Sequence, residues 1–266
     1  MRIDRHVRHV GKVAIRAFRQ SLIFNNPAMP CGGGGGGESS APATVQVSQG
    51  RTNMIRALVH IDNGPATMEG MLEVPRAAAG IVLFAHGSGS SRLSPRNNHV
   101  AHVLRDAGIG TLLLDLLAPD EDRQIHNRFD IVLLTDRLRA AAAWLGAQEA
   151  TTALPLGLFG ASTGAAAALL LAADPAVRVA AVVSRGGRPD LAGGGALRAV
   201  EAPTLLIVGG ADTPVIALNE QAYAELGCIK RLEIVPGATH LFDEPGALEE
   251  VARLATAWFA GHFASG

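Results

Sequence analysis

Six short apolar runs recur along the chain: IVLFAH (81–86), TLLLDL (111–116), LPLGLFG (154–160), VAAVVS (179–184), TLLIVG (204–209) and RLEIVP (231–236). Their hydrophobicity is continuous rather than alternating. Strands buried on both faces have that pattern, so the runs predict a mostly parallel sheet with helices covering both sides. Between them, residues 97–107, 130–148, 163–173, 214–226 and 245–263 carry apolar side chains at three-to-four spacing, and Pro175, Pro203 and Pro236 fall outside these stretches. Five helices are expected there. Ahead of the alternation, MIRALVHI (54–61) and TMEGMLEV (67–74) flank the turn Asp62-Asn63-Gly64-Pro65, which predicts an antiparallel hairpin.

Residues 1–50 break from this pattern. They hold six basic and two acidic residues, a net +4, against 17 basic and 22 acidic in the remainder, a net −5. Apolar and basic positions over 2–22 recur at helical spacing, and six glycines at 32–37 follow as a flexible tether. The expectation is a basic, Gly-rich, disordered extension at 1–50, with a membrane-surface or partner-binding helix as the alternative. An export signal does not fit, because Arg16 and Arg19 interrupt its apolar region. Residues 51–266 are expected to form one α/β domain, and 48% hydrophobic content can supply its core.

The whole chain has 23 basic and 24 acidic residues, so no net field draws it to nucleic acid or to an anionic membrane. A small, near-neutral partner fits better. Two cysteines, Cys31 and Cys228, are too few for a disulfide framework and wrongly spaced for zinc, which points to a reducing, cytoplasmic setting. No apolar run approaches the roughly 18 residues of a spanning helix, so stable membrane association is not expected.

The chemistry begins at Gly160-Ala161-Ser162-Thr163-Gly164, set between the strand LPLGLF and an alanine-rich helix. In that context GxSxG is a nucleophile elbow, whose small flanking residues let a tight turn thrust the serine hydroxyl above the sheet edge. A serine hydroxyl needs a base, and the base needs a carboxylate to orient it. Asp212 follows TLLIVGG and His240 follows the next strand, each past the carboxyl end of a strand and in the order Ser, Asp, His. His99, His102 and His262 fall in predicted helices instead. Asp190 and Asp243 are rival acids, and Asp212 could merely cap the helix beginning at Pro214.

His86-Gly87-Ser88-Gly89-Ser90-Ser91 ends the first parallel strand. This loop is expected to aim the Ser88 amide at an oxyanion, with the Thr163 amide as second donor and His86 holding the loop. It lacks the Lys-Ser/Thr ending of a phosphate loop. Arg185 and Arg188 on the loop after 184, and Arg92 and Arg96 after HGSGSS, are candidates to hold a substrate carboxylate or phosphate. The alternative pairs them with Asp190, Asp120, Glu121 and Asp122.

The order HGSGSS, FGASTGAAAALL, GGADTPV and PGATHLFDEPG resembles the dienelactone hydrolase-like branch of the α/β-hydrolases over residues 54–263. The resemblance implies an eight-stranded sheet and hydrolysis of small esters or lactones; the triad read from the residues adds an acyl-enzyme mechanism that calls for neither metal nor organic cofactor. Relatives are also found fused to phosphoribosyltransferases. One departure stands out: dienelactone hydrolases proper carry cysteine at the elbow, where this chain has Ser162. The same triad would also serve a thioesterase, acyltransferase or peptidase, and a non-catalytic binding module on the same scaffold is the alternative of another class. The segment between Ser184 and Thr204 is too short for a large helical insertion, so little or no cap domain is expected.

Overall fold

A computed structural model describes residues 54–264. The expectation for residues 1–50 therefore lies outside the described residues. The chain runs β1 (Met54–Asn63), β2 (Ala66–Pro75), β3 (Ile81–Ala85), α1 (Pro95–Asp106), β4 (Gly110–Leu114), α2 (Pro119–Asp122), a 3₁₀ turn (Ile125–Phe129) and α3 (Ile131–Ala147). It continues through β5 (Leu156–Ala161), α4 (Thr163–Ala172), β6 (Ala181–Arg185), a second 3₁₀ turn (Pro189–Ala192) and α5 (Gly194–Ala199). Last come β7 (Thr204–Gly209), α6 (Thr213–Glu225), β8 (Lys230–Val235) and α7 (Ala247–Phe263). The six apolar runs are the six parallel strands, and DNGP turns the antiparallel hairpin, with Asn63 paired to Ala66.

The eight strands form one sheet in the order β1-β2-β4-β3-β5-β6-β7-β8. β1 and β2 are antiparallel to their neighbours and all later pairs are parallel. Every residue of β3, β4, β6 and β7 is buried, as continuous hydrophobicity demands. Alternate residues feed opposite cores. Ile81, Leu83 and Ala85 pack with Leu134 and Leu138 of α3 and Ala168 and Leu171 of α4, whereas Val82 and Phe84 pack with Val100 of α1 and Phe259 of α7. Helices thus cover both faces.

The chain leaves β3 towards β4 on one side and returns to β5 on the other. That reversal opens a crevice at the carboxyl ends of β3 and β5, the position where doubly wound sheets bind ligands. His86-Gly87-Ser88 and Ser162 stand on its two banks. Between β6 and β7 the chain makes only the second 3₁₀ turn and the short α5, so among the described residues no cap domain is inserted there. Among the described residues no helix is long and apolar enough to cross a membrane.

Candidate active site

β5 ends in a turn so tight that side chains are excluded around it. A Cβ at Gly160 would run into the backbone of Ala165, and one at Gly164 would run into the carbonyl oxygens of Ala85 and His86. Ser162 itself holds φ 51° and ψ −121°, a conformation that L-residues rarely adopt. Backbone bonds fix it there: its amide donates to Arg185 O at 3.3 Å, and its carbonyl accepts from Ala165 N at 3.1 Å and Arg188 N at 3.0 Å.

β7 and β8 deliver the other two side chains. Asp212 occupies the N-cap position of α6, yet its side chain makes no capping hydrogen bond. Its Oδ2 lies 2.7 Å from His240 Nδ1 instead, and His240 Nε2 lies 3.3 Å from Ser162 Oγ. The carboxylate is thereby committed to the imidazole rather than to the helix amides. With the ring proton on Nδ1 donated to Asp212, Nε2 is left to accept the serine hydroxyl proton. Both rival acids are engaged by arginines: Asp190 by Arg188 at 2.8 and 2.7 Å, and Asp243 by Arg96 at 3.2 Å.

The loop after β3 lies against the elbow because position 87 has no side chain. A Cβ on Gly87 would stand 3.0 Å from Ser162 Cβ and 3.2 Å from Ala161 O. His86 is buried; its Nδ1 sits 2.9 Å from Gly87 O, and its Nε2 accepts from Leu116 N at 3.0 Å. The Nδ1–H tautomer satisfies both contacts and staples this loop to the segment after β4. Desolvation holds the His86 pKa below its ordinary value, partly offset by the Gly87 hydrogen bond. One amide departs from expectation. The Ser88 N–H donates to Thr163 Oγ1 at 3.0 Å, so in this structure it is engaged by a side chain rather than open to an oxyanion. Thr163 is the first residue of α4, where the amide has no acceptor within the helix.

No family model matches the chain. A dienelactone hydrolase from Anabaena variabilis is 55% identical in its crystal structure, at a TM-score of 0.76, with 79% of this chain and 99% of that one covered. This chain belongs to the dienelactone hydrolase-like branch of the α/β-hydrolases. The esterase domain of a Rhodothermus marinus protein shares the fold at 20% identity and a TM-score of 0.63, over 79% of this chain and 99% of that one. Two curated Mycobacterium tuberculosis sequences, each named a phosphoribosyl transferase, are 58% identical over 204 residues. The match takes in 77% of this chain, which spans only 46% of their length.

In this dienelactone hydrolase-like protein the four arginines near the crevice are not equivalent. Arg92 contacts Glu69 at 2.6 Å and also pairs with Asp115, because β2 lies beside β4 and brings the two acids together. Arg188 is held by both oxygens of Asp190. Arg92 and Arg188, expected as candidates to hold a substrate anion, are thus both engaged by adjacent carboxylates. Arg185 differs. It is 7% exposed, reaches Asn97 Oδ1 at 3.4 Å, and leaves Nε without a hydrogen bond. Among the described residues no carboxylate pairs with it directly. Sequence reasoning passed over Asn97, Phe242 and the Thr163 hydroxyl, since each draws its significance from a contact between distant segments.

Proposed function

We propose that the protein hydrolyses small carboxylic esters or lactones through an acyl-enzyme on Ser162. The observation carrying this reading is the continuous chain of contacts from Ser162 Oγ through His240 to Asp212, at 3.3 and 2.7 Å, at the mouth of the crevice. His240 takes the serine proton as the hydroxyl oxygen attacks the substrate carbonyl, and Asp212 fixes the ring and stabilises its cation. His240 then gives that proton to the leaving alkoxide, and water repeats the sequence on the acyl-enzyme. The 3.3 Å separation is ordinary for an unliganded site, where such bonds tighten only with substrate.

The tetrahedral oxyanion is received by the amides of Thr163 and Ser88, the latter exchanging the Thr163 hydroxyl for the substrate oxygen. The short connection between β6 and β7, with no cap domain inserted there, favours small, accessible substrates over long-chain ones. Serine in place of the branch's cysteine keeps the same two-step acyl transfer, with an oxygen ester as intermediate. Neither metal nor organic cofactor enters any step.

The test is labelling by a fluorophosphonate together with turnover of short aryl esters, lactones and thioesters. The wild type is expected to be labelled at Ser162, whereas Ser162→Ala is silent and hydrolysis falls by about 10⁴- to 10⁶-fold. Undiminished hydrolysis in Ser162→Ala would refute the acyl-enzyme. A wild type that resists the label and hydrolyses none of these compounds would favour a binding module instead.

A further inference from the structure

Among the described residues only two non-glycines hold a positive φ: Ser162 at 51° and Phe242 at 58°. The elbow accounts for the first. For a bulky residue such as Phe242 the left-handed region is strained, and the surroundings must offset that strain. Phe242 lies two residues past His240, in a turn closed by its own amide donating to Thr239 O at 3.2 Å. Its ring is buried in the core shared by α1 and α7. The Arg185 guanidinium stands 5.8 Å from the centroid of that ring, within the range of cation–π attraction.

Arg185 is itself costly to keep. Burial of a guanidinium without a direct carboxylate partner is unfavourable, and desolvation lowers its pKa to about 10, with Arg96 adding to the effect and Asp243 opposing it. The group nevertheless remains cationic near neutral pH. Its backbone ties it to the nucleophile, since Arg185 O accepts the Ser162 amide. The next residue, Gly186, lies under the base. A Cβ there would stand 3.1 Å from His240 O, 3.5 Å from His240 Nδ1 and 3.4 Å from Phe242 Cε2. Two separately unfavourable features thus meet in one contact, between the backbone that holds Ser162 and the turn that carries His240.

We infer that Arg185 and Phe242 are positioning residues: the guanidinium over the Phe242 ring pins the left-handed turn and sets His240 over Ser162. The inference rests on the reading of Ser162 and His240 as nucleophile and base. It assigns Arg185 to the geometry of the base rather than to a substrate anion.

The experiment measures the rate of fluorophosphonate labelling, together with kcat and KM for a neutral aryl ester and an anionic one. The proteins are the wild type, Arg185→Gln, Phe242→Leu and their double variant. Each single change is expected to slow labelling and lower kcat by about tenfold. KM for both esters should stay within about twofold, and the double variant should be little worse than the poorer single one. In a His240→Ala background, Arg185→Gln should cause no further loss, because its effect passes through the imidazole. Arg185→Lys, which keeps a cation over the ring, should recover part of the rate, and it decides the matter should Phe242→Leu fail to fold. Unchanged labelling with a KM increase confined to the anionic ester would overturn the inference and make Arg185 a substrate-binding group. An equal fractional loss without His240 would overturn it in favour of general destabilisation. A wild type that is not labelled at Ser162 would fail the underlying reading, and the inference with it.

Discussion

The two halves of the proposed site, the elbow and oxyanion loop around Ser162 and the turn that carries His240, are built differently. On the nucleophile side, position is imposed by the backbone: Gly87, Gly160 and Gly164 leave no room for a side chain, and both peptide groups of Ser162 are hydrogen-bonded. On the base side, position is imposed by side chains. His240 sits on a turn with 38% of its side chain exposed, steadied by Asp212 from one neighbouring loop and by Phe242 packed beneath Arg185. The contrast separates two kinds of sensitivity. Changes on the nucleophile side should be felt first by the fold, because atoms collide. Changes on the base side should be felt first by the rate, because only an orientation is lost.

With Ser162 itself in place, the largest expected effect falls on the base side. Asp212→Asn removes the charge that selects the Nδ1–H tautomer of His240, and kcat for ester hydrolysis should drop by about 10⁴-fold. The Tm should hardly move, since the Asp212 side chain makes no capping bond to α6. The competing view, in which Asp212 only starts the helix, forecasts kcat nearly intact in Asp212→Asn, because Asn caps a helix as well as Asp, and a stability loss of about 1 kcal/mol in Asp212→Ala. Steady-state kinetics on Asp212→Asn and calorimetry on Asp212→Ala therefore decide between them.

The same contrast explains what the sequence made legible. The nucleophile side is written in contiguous letters: a buried strand, GxSxG and a helix, with small residues wherever sterics demand them. Asp212 and His240 could be located because each follows its strand in the order the fold requires. The partners of Arg92 could not, since Glu69 reaches it only because β2 pairs with β4, strands that are not consecutive in the chain. Phe242 carried no signal for its left-handed φ, a conformation that glycine or asparagine would have advertised. The short α2 and α5, of four and six residues, have too few turns to display a period. The Ser88 amide was expected at an oxyanion because backbone position was readable and the Thr163 side chain's rotamer was not.

Gly164→Ala probes the nucleophile side with an intermediate effect. The new methyl would collide with the Ala85 and His86 carbonyl oxygens, backbone atoms that cannot swing aside as a side-chain tip can. Overpacking of this kind costs about 1–3 kcal/mol, so a clear fall in Tm is expected. The displaced atoms belong to the loop that carries Ser88, so activity should fall in parallel. A variant of wild-type Tm that had lost only its rate would erase the distinction between the two sides.

The smallest effect comes from a buried titratable tie in the oxyanion loop. His86 can accept the Leu116 amide only while Nε2 is unprotonated, and burial lowers its pKa below the ordinary value near 6.5. The unfolded chain therefore takes up this proton more readily than the folded one. The stability contributed by neutral His86 is present above about pH 6.5 and is lost as the pH falls through the folded-state value. His262, whose pKa desolvation also lowers, acts in the same window with the same sign, so the wild-type Tm profile alone cannot isolate His86. The informative quantity is the difference between wild type and His86→Asn from pH 7 to pH 5. Wild-type Tm should fall more steeply over that range, and the two curves should converge as the His86 contribution disappears. Parallel curves would mean that the staple between Gly87 and Leu116 contributes nothing the backbone does not already provide.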